Sequence, residues 1–108
     1  MLFPAVFSKK CMLEIYYTEH LKLRLKLRGL PNELPLKILN EADEIYWDTE
    51  TSKWVALKKV KYKNREREFI VVYEKAEEIT TLVTIHPIKT YQKYHRIKTG
   101  RWIKWEKA

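Results

Sequence analysis

Residues 18–29 read TEHLKLRLKLRG, and the conformation of this stretch decides how the rest of the chain is arranged. Leucine alternates with a basic residue through most of it, and strict alternation by itself is typical of a β-strand. However, Leu, Lys and Arg are good helix formers, and no β-branched residue interrupts the run. Thr18 is a suitable N-terminal helix cap and Gly29 a suitable C-terminal one. We therefore predict a helix over Glu19–Arg28.

The helical conformation has a consequence for the charged residues of this stretch. Residues four positions apart share one face of a helix, so His20, Arg24 and Arg28 would form a row. This row would be flanked by two pairs of leucines, namely Leu23 with Leu27 and Leu21 with Leu25. On a strand the same three residues would instead share a solvated face with the lysines. A structural role also remains open, because arginine stems can cover apolar surface while their charged ends pair with glutamates.

The segments on either side predict the other elements. A strand over Met12–Tyr17 precedes the helix, and a second short helix over Glu33–Glu41 follows it. The next part is rich in Ile, Val, Tyr, Trp and Thr, with short polar turns that favour an antiparallel meander. The predicted strands of the meander are Glu44–Asp48, Lys53–Lys63, Arg67–Glu74 and Ile79–His86. A third helix over Thr90–Thr99 and an extended tail over Arg101–Trp105 follow.

This order of elements predicts an α+β fold. It comprises an N-terminal strand and two short helices, a four-stranded antiparallel meander, then a C-terminal helix and an extended tail. The length of 108 residues suits one domain. We expect its core to span about residues 14–89, with a basic aromatic extension over 90–108. The helices are expected to pack on one face of the sheet.

Local patterns also predict how individual elements pack. Phe69–Tyr73 is apolar at every position, which indicates a central strand covered on both faces. Lys58 and Lys59 interrupt their strand and predict a bulge there, and Pro87 is expected to end the last strand. The alternation in that strand predicts that Thr84 and His86 point to the same side. The third helix is expected to carry an apolar stripe of Ile88, Tyr91, Tyr94 and Ile97. Lys93 and Arg96 are expected elsewhere on its surface.

Composition narrows the class of protein. Cys11 is the only cysteine, so an internal disulfide or a multi-cysteine zinc site is not expected. The apolar run Met1–Phe7 is short and is followed by lysines, which predicts neither a signal peptide nor a membrane span. We expect a cytoplasmic protein. The chain has 16 lysines and 12 glutamates but only one glutamine, Gln92. Such enrichment in charged residues over glutamine resembles the composition of proteins from hot environments.

Positive charge is concentrated near the C-terminus. The net charge is +8, and the segment from His86 onwards carries seven Lys and Arg residues against the single acidic residue Glu106. Such a region next to aromatic residues could neutralise nucleic-acid phosphates. A solvated charged surface is the alternative. The residues predicted to contact RNA or DNA are Lys89, Lys93, Arg96, Lys98, Arg101 and Lys104.

The sequence resembles a domain family with no assigned activity, grouped near the RelE, ParE and BrnT toxins and, more distantly, near barnase-type ribonucleases. The resemblance rests on YTEHLKLRLKLRGL at residues 17–30, which has the pattern His-x-x-x-Arg-x-x-x-Arg-Gly, and on the segments VVYEK and TTLVTIHPIK. It covers about residues 14–89. The family pattern, including the Thr near the end of its last strand, would fall on His20, Arg24, Arg28, Gly29 and Thr84. The resemblance implies a compact sheet with helices on one side.

Metal-independent RNA cleavage is one function that these residues could support. It requires a base, an acid and cations around the phosphate. His20 could act in proton transfer, Arg24 and Arg28 could grip a phosphate, and His86 or Lys89 could supply a second proton-transfer group. With Thr84 added from the resemblance, the candidate catalytic residues are His20, Arg24, Arg28, Thr84 and His86.

Two other classes of function remain open. The chain could be a non-catalytic module that binds RNA or DNA. It could instead bind an acidic protein, such as an antitoxin, and we would then expect an exposed apolar patch involving Trp47 or Trp54 beside the basic region. No cofactor is predicted, because the sequence has no phosphate-binding glycine loop. No metal site is predicted either, since three scattered histidines and one cysteine lack ligand spacing.

Overall fold

The computed structural model describes residues 14–105, and Met1–Phe7 and the predicted strand start at Met12 lie outside this range. Within this range, three helices and six strands follow one another. They are β1 (Glu14–Tyr17), α1 (Glu19–Arg28), α2 (Leu34–Asn40), β2 (Glu44–Asp48), β3 (Lys53–Tyr62), β4 (Arg65–Ala76), β5 (Ile79–Ile88), α3 (Thr90–Lys98) and β6 (Trp102–Lys104). No helix within this range is long and apolar enough to cross a lipid bilayer.

All six strands belong to one mixed sheet, in the order β1-β5-β4-β3-β2-β6. The pairs β2–β3, β3–β4 and β4–β5 are antiparallel. Strand β1 extends the sheet at one edge by pairing in parallel with β5, and β6 extends it at the other by pairing antiparallel with β2. The expected α+β fold is confirmed. The sheet is larger than the expected meander because the N-terminal strand and the tail both join it.

The sequence 19–28 forms a helix, as its cap residues predicted. The Thr18 hydroxyl accepts a hydrogen bond from the Leu21 backbone N–H at 3.0 Å. Gly29 ends the helix in the left-handed conformation, with φ of 65°, which glycine adopts without strain. The alternating leucines therefore lie on two sides of the helix: Leu21 and Leu25 are buried, whereas Leu23 and Leu27 are exposed.

The sheet is covered on both faces, so the expectation that the helices lie on one face is wrong. Adjacent residues of β3 point to opposite sides, with Ala56 in one cluster and Val55 and Leu57 in the other. The first cluster joins α1 and α2 to the sheet and contains Leu21, Leu25, Ile38, Ala56, Phe69, Val71, Tyr73, Leu82 and Ile85. The second lies beneath Ile97 of α3 and contains Tyr46, Val55, Leu57, Ile70, Ile88 and Trp102. Central strands that are apolar at every position require this cover on both faces.

The irregularity in the sheet lies in β5, and the expected bulge at Lys58 and Lys59 is wrong. Both lysines pair in regular register with β4. Instead, Tyr73 pairs with Leu82 and Val72 pairs with Thr84, which leaves Val83 as an extra residue. Because of this bulge, Leu82 and Ile85 face the same cluster although they are three positions apart.

The last strand also runs further than predicted, through Pro87 to Ile88. Strand β1 pairs with β5 only as far as Leu82, so β5 has a strand neighbour on one side alone at Pro87. A sheet tolerates a residue without a backbone N–H at such a position.

The stripe predicted for helix α3 is buried only in part: Ile88 and Ile97 pack in the second cluster, but the two tyrosines do not. Tyr91 and Tyr94 are 69% and 58% exposed, whereas Lys93 is buried and only 6% exposed. The Lys93 ammonium forms ion pairs with Glu44 and Glu68, both at 3.2 Å. A buried charge needs such partners, and they lie on β2 and β4, far from Lys93 in sequence.

Candidate functional site

Thr18 fixes the position of α1 beside β5. Its hydroxyl donates a hydrogen bond to the Val83 carbonyl at 2.8 Å, in addition to capping the helix. Its backbone N–H donates to the Leu82 carbonyl at 3.1 Å. Val83 is the extra residue of the bulge, so one threonine connects the start of the helix to the irregular part of the strand. The helix therefore begins at the point where β1 stops pairing with β5.

The basic row of α1 lies along the edge of its buried stripe. Arg24 and Arg28 are half-buried on the same side as Leu21 and Leu25, and His20 is exposed in the first turn. Neither arginine forms an ion pair within residues 14–105. The Arg28 Nε atom is buried and lacks a hydrogen-bond partner within the same range. A half-buried guanidinium group without an ion-pair partner can still bind an anion through its remaining N–H donors.

His86 is the second part of the candidate site. It pairs with Ile70 and thus lies on the α3 face of β5, together with Thr84, which pairs with Val72. The two side chains therefore share a face, as the sequence predicted. The His86 Nδ1 atom lies 3.2 Å from the Pro87 carbonyl oxygen. When Nδ1 carries the proton and donates to that oxygen, Nε2 keeps a free lone pair.

The electrostatic environment keeps the His86 imidazole neutral. Burial lowers the pKa of His86, and the hydrogen bond to Pro87 partly opposes that effect. The nearby positive charges of Arg96, Arg24 and Arg28 lower the pKa further, so that it lies below the ordinary value of 6.5. A neutral imidazole among three arginines leaves the local charge strongly positive.

The structure relates the predicted residues only in part. The charges of Arg24, Arg28 and Arg96 all act on the His86 ring, although α1 covers one face of the sheet and His86 lies on the α3 face. The His20 ring and the Thr84 hydroxyl form no hydrogen bond within the described part of the chain. We call Arg24, Arg28, His86 and Arg96 the arginine–histidine centre.

The predicted nucleic-acid-binding residues of the C-terminal segment differ in exposure and in ion pairing. Lys89, Lys98 and Lys104 are exposed. Arg96 is half-buried, with its guanidinium 5.3 Å from the centre of the Trp102 ring. Arg101 is held by Asp48 and Glu50 at 2.9 and 3.1 Å, and Lys93 is buried between its two glutamates. The charges of Lys93 and Arg101 are thus already compensated within the fold.

Sequence reasoning missed the groove beside Lys93. The groove has a volume of about 1150 Å³ and lies between the N-terminal end of α3 and the strands beneath it. Burial lowers the pKa of Lys93, but hydrogen bonds from its ammonium to Glu44 and Glu68 outweigh that effect and raise it overall. The basic side chains that line the groove, besides Lys93, are Lys59, Arg65, Arg67 and Lys89. No local signal could have revealed this groove, because the lysine and its two glutamates come from three separate elements.

No protein-family model, no curated protein and no solved structure matches the chain. The resemblance based on the His-x-x-x-Arg-x-x-x-Arg-Gly pattern therefore stays a prediction.

Proposed function

We propose that the protein binds nucleic acid, and that the arginine–histidine centre grips the phosphate backbone. The observation that carries the proposal is the pair Arg24 and Arg28, half-buried one helical turn apart and without an acidic partner in the described range. Phosphate oxygens are the natural partners for guanidinium groups in this state. The exposed lysines 89, 98 and 104 extend the positive surface, and the net charge of +8 favours association with a polyanion.

An RNA-binding assay with charge-removing variants tests this proposal. Arg24→Gln and Arg28→Gln keep much of the side-chain stem, so they separate loss of charge from loss of packing. We expect the double variant to bind single-stranded RNA at least about tenfold more weakly at low salt, because charged hydrogen bonds are lost. The slope of log affinity against log salt should fall by about 0.7 for each arginine. Fluorescence anisotropy with a labelled oligonucleotide measures both quantities.

The same helix offers a matched control. Lys22 and Lys26 are exposed on the opposite side of α1, so Lys22→Gln with Lys26→Gln removes the same charge. That control should keep most of the affinity. Equal losses in both double variants would mean that only overall charge matters, and unchanged binding in the arginine variant would reject the proposal.

A metal-independent ribonuclease is the second candidate, and His86 is the observation that favours it. Its lowered pKa leaves a neutral imidazole beside cationic groups, which is the state that a general base requires. His20 lies one turn before Arg24 on the exposed side of α1. In this scheme His86 would remove the ribose 2′-hydroxyl proton, and the 2′-oxygen would attack phosphorus as the bond from phosphorus to the 5′-oxygen breaks. The arginines would stabilise the charged phosphate, and an acid such as His20 would protonate the leaving 5′-oxygen, which leaves a 2′,3′-cyclic phosphate.

The cleavage assay uses labelled RNA in the presence of a chelator, so that contaminating metal-dependent nucleases are inactive. We expect wild type to cleave, and His86→Ala to lose about a hundredfold or more in rate while it still binds RNA. Intact RNA with wild-type protein would reject the ribonuclease and leave the binding function standing. Cleavage that persists in His86→Ala would remove His86 from the mechanism.

A further inference from the structure

Strand β6 forms an open edge of the sheet. It has three residues, and within the described part of the chain it pairs with β2 on one side only. The Arg101 carbonyl accepts from Thr49 N–H, and the Trp105 N–H donates to the Ile45 carbonyl, both at 2.8 Å. Because alternate residues of a strand direct their backbone groups to opposite sides, the N–H and C=O groups of Trp102 and Lys104 point away from β2. Among residues 14–105 no backbone group pairs with them, so they can accept another strand.

One face of this edge carries an aromatic patch, composed of Trp47, Trp54, Ile103 and Trp105. The Trp47 and Trp54 rings are 4.9 Å apart, and those of Trp54 and Trp105 are 5.5 Å apart. Ile103 pairs directly with Trp47 and completes the row. Ile103 and Trp105 remain 54% and 53% exposed. The patch thus lies directly beside the unpaired backbone groups.

We propose that this edge binds an extended acidic segment of another protein, which adds to the sheet as a strand next to β6. Its backbone would pair with Trp102 and Lys104, and its alternate apolar side chains would pack on Ile103 and Trp105. The side chains in between would lie on the other face of the sheet, beside the exposed Lys104. Acidic residues suit those positions, since opposite charges on neighbouring strands attract. The net charge of +8 favours the same partner.

Two other occupants fit this surface less well. If a second copy of the chain paired edge to edge with the first, the two Lys104 side chains would lie close together. Such a dimer would also join two molecules of charge +8. Lysine on an edge strand opposes this kind of self-pairing. Nucleic acid could stack on the tryptophans, but it has no regular N–H and C=O groups to complete the strand ladder. The combination of an open backbone edge with an adjacent apolar row therefore favours a polypeptide.

The test uses a short synthetic peptide in which glutamate and valine alternate, and a matched peptide in which lysine replaces glutamate. We expect saturable binding of the glutamate peptide to the wild-type chain, measured by tryptophan fluorescence. Amide hydrogen exchange followed by NMR should show protection at Trp102 and Lys104. Ile103→Ser combined with Trp105→Ala should weaken binding about tenfold or more, whereas Tyr16→Ser, on the opposite edge strand, should leave it unchanged.

A charge reversal makes the test sharper. Lys104→Glu should bind the lysine peptide better than the glutamate peptide, while circular dichroism confirms that the fold is kept. The proposal would be overturned by a lack of saturable binding, by equal binding of both peptides to wild type, or by protection at amides away from β6. Concentration-dependent dimerisation lost in Ile103→Ser, or tryptophan quenching by RNA alone, would assign the surface to a second copy or to nucleic acid and would equally overturn it.

Discussion

At the scale of single residues, Asp48 holds the C-terminal strand in place. Its carboxylate is 4% exposed and accepts hydrogen bonds from the Arg101 guanidinium at 2.9 Å and from the Trp102 indole N–H at 3.3 Å. Backbone N–H groups of Glu50 and Thr51 also donate to it. Burial alone would raise the pKa of Asp48, but the hydrogen bonds from Arg101 and the backbone outweigh it and lower the pKa below the usual 3.8.

We expect Asp48→Asn to destabilise the fold by about 2–3 kcal/mol at neutral pH, because a buried charge network loses its anion. The lowered pKa means that the carboxylate stabilises the fold above pH 3.8 and loses this effect as the pH falls through the folded-state pKa. The difference from wild type should therefore shrink in acid. Urea unfolding at several pH values measures it. Glu50→Gln, which alters the exposed partner of the same arginine, should cost under about 1 kcal/mol, and a similar loss in both variants would contradict this account.

At the scale of elements, the join between α1 and β5 depends on Thr18. Thr18→Ala removes both the helix cap and the hydrogen bond to the bulge carbonyl of Val83, so we expect a loss of about 1–2 kcal/mol in the free energy of unfolding. Thr18→Ser keeps the hydroxyl and should retain most of the stability. Urea denaturation compares the three proteins. A loss in Thr18→Ser as large as in Thr18→Ala would show that the methyl group, not the hydroxyl, stabilises this join.

The elements also show which parts of the fold are predictable from sequence. The caps at Thr18 and Gly29 are local signals, and they predicted α1 correctly against a misleading alternation. Lys93 was predicted to lie on the surface because a lysine near two tyrosines gives no local sign of burial. Its burial depends on Glu44 and Glu68, which only the folded sheet brings near it.

At the scale of the whole molecule, the sequence predicted the type and order of the elements, but it did not predict which face of the sheet each helix covers. Periodicity and turn residues report on a few neighbouring positions, whereas the placement of α3 on the opposite face depends on contacts between distant segments. The candidate site likewise contains a part that local spacing predicts and a part that depends on distant segments. The row Arg24 and Arg28 follows from helical spacing, but the effect of the Arg96 charge on His86 depends on the placement of α3 on that face of the sheet.

The pairing of β1 with β5 has a kinetic consequence. Glu14 pairs with Ile79, so more than half of the chain must be enclosed before this edge of the sheet forms. Closing so long a loop costs conformational entropy before any contact compensates for it. The hairpins of the middle strands can form early, whereas the first strand must wait for the fifth. Folding should accordingly be slower than that of a helical bundle of the same length, on the order of milliseconds to seconds.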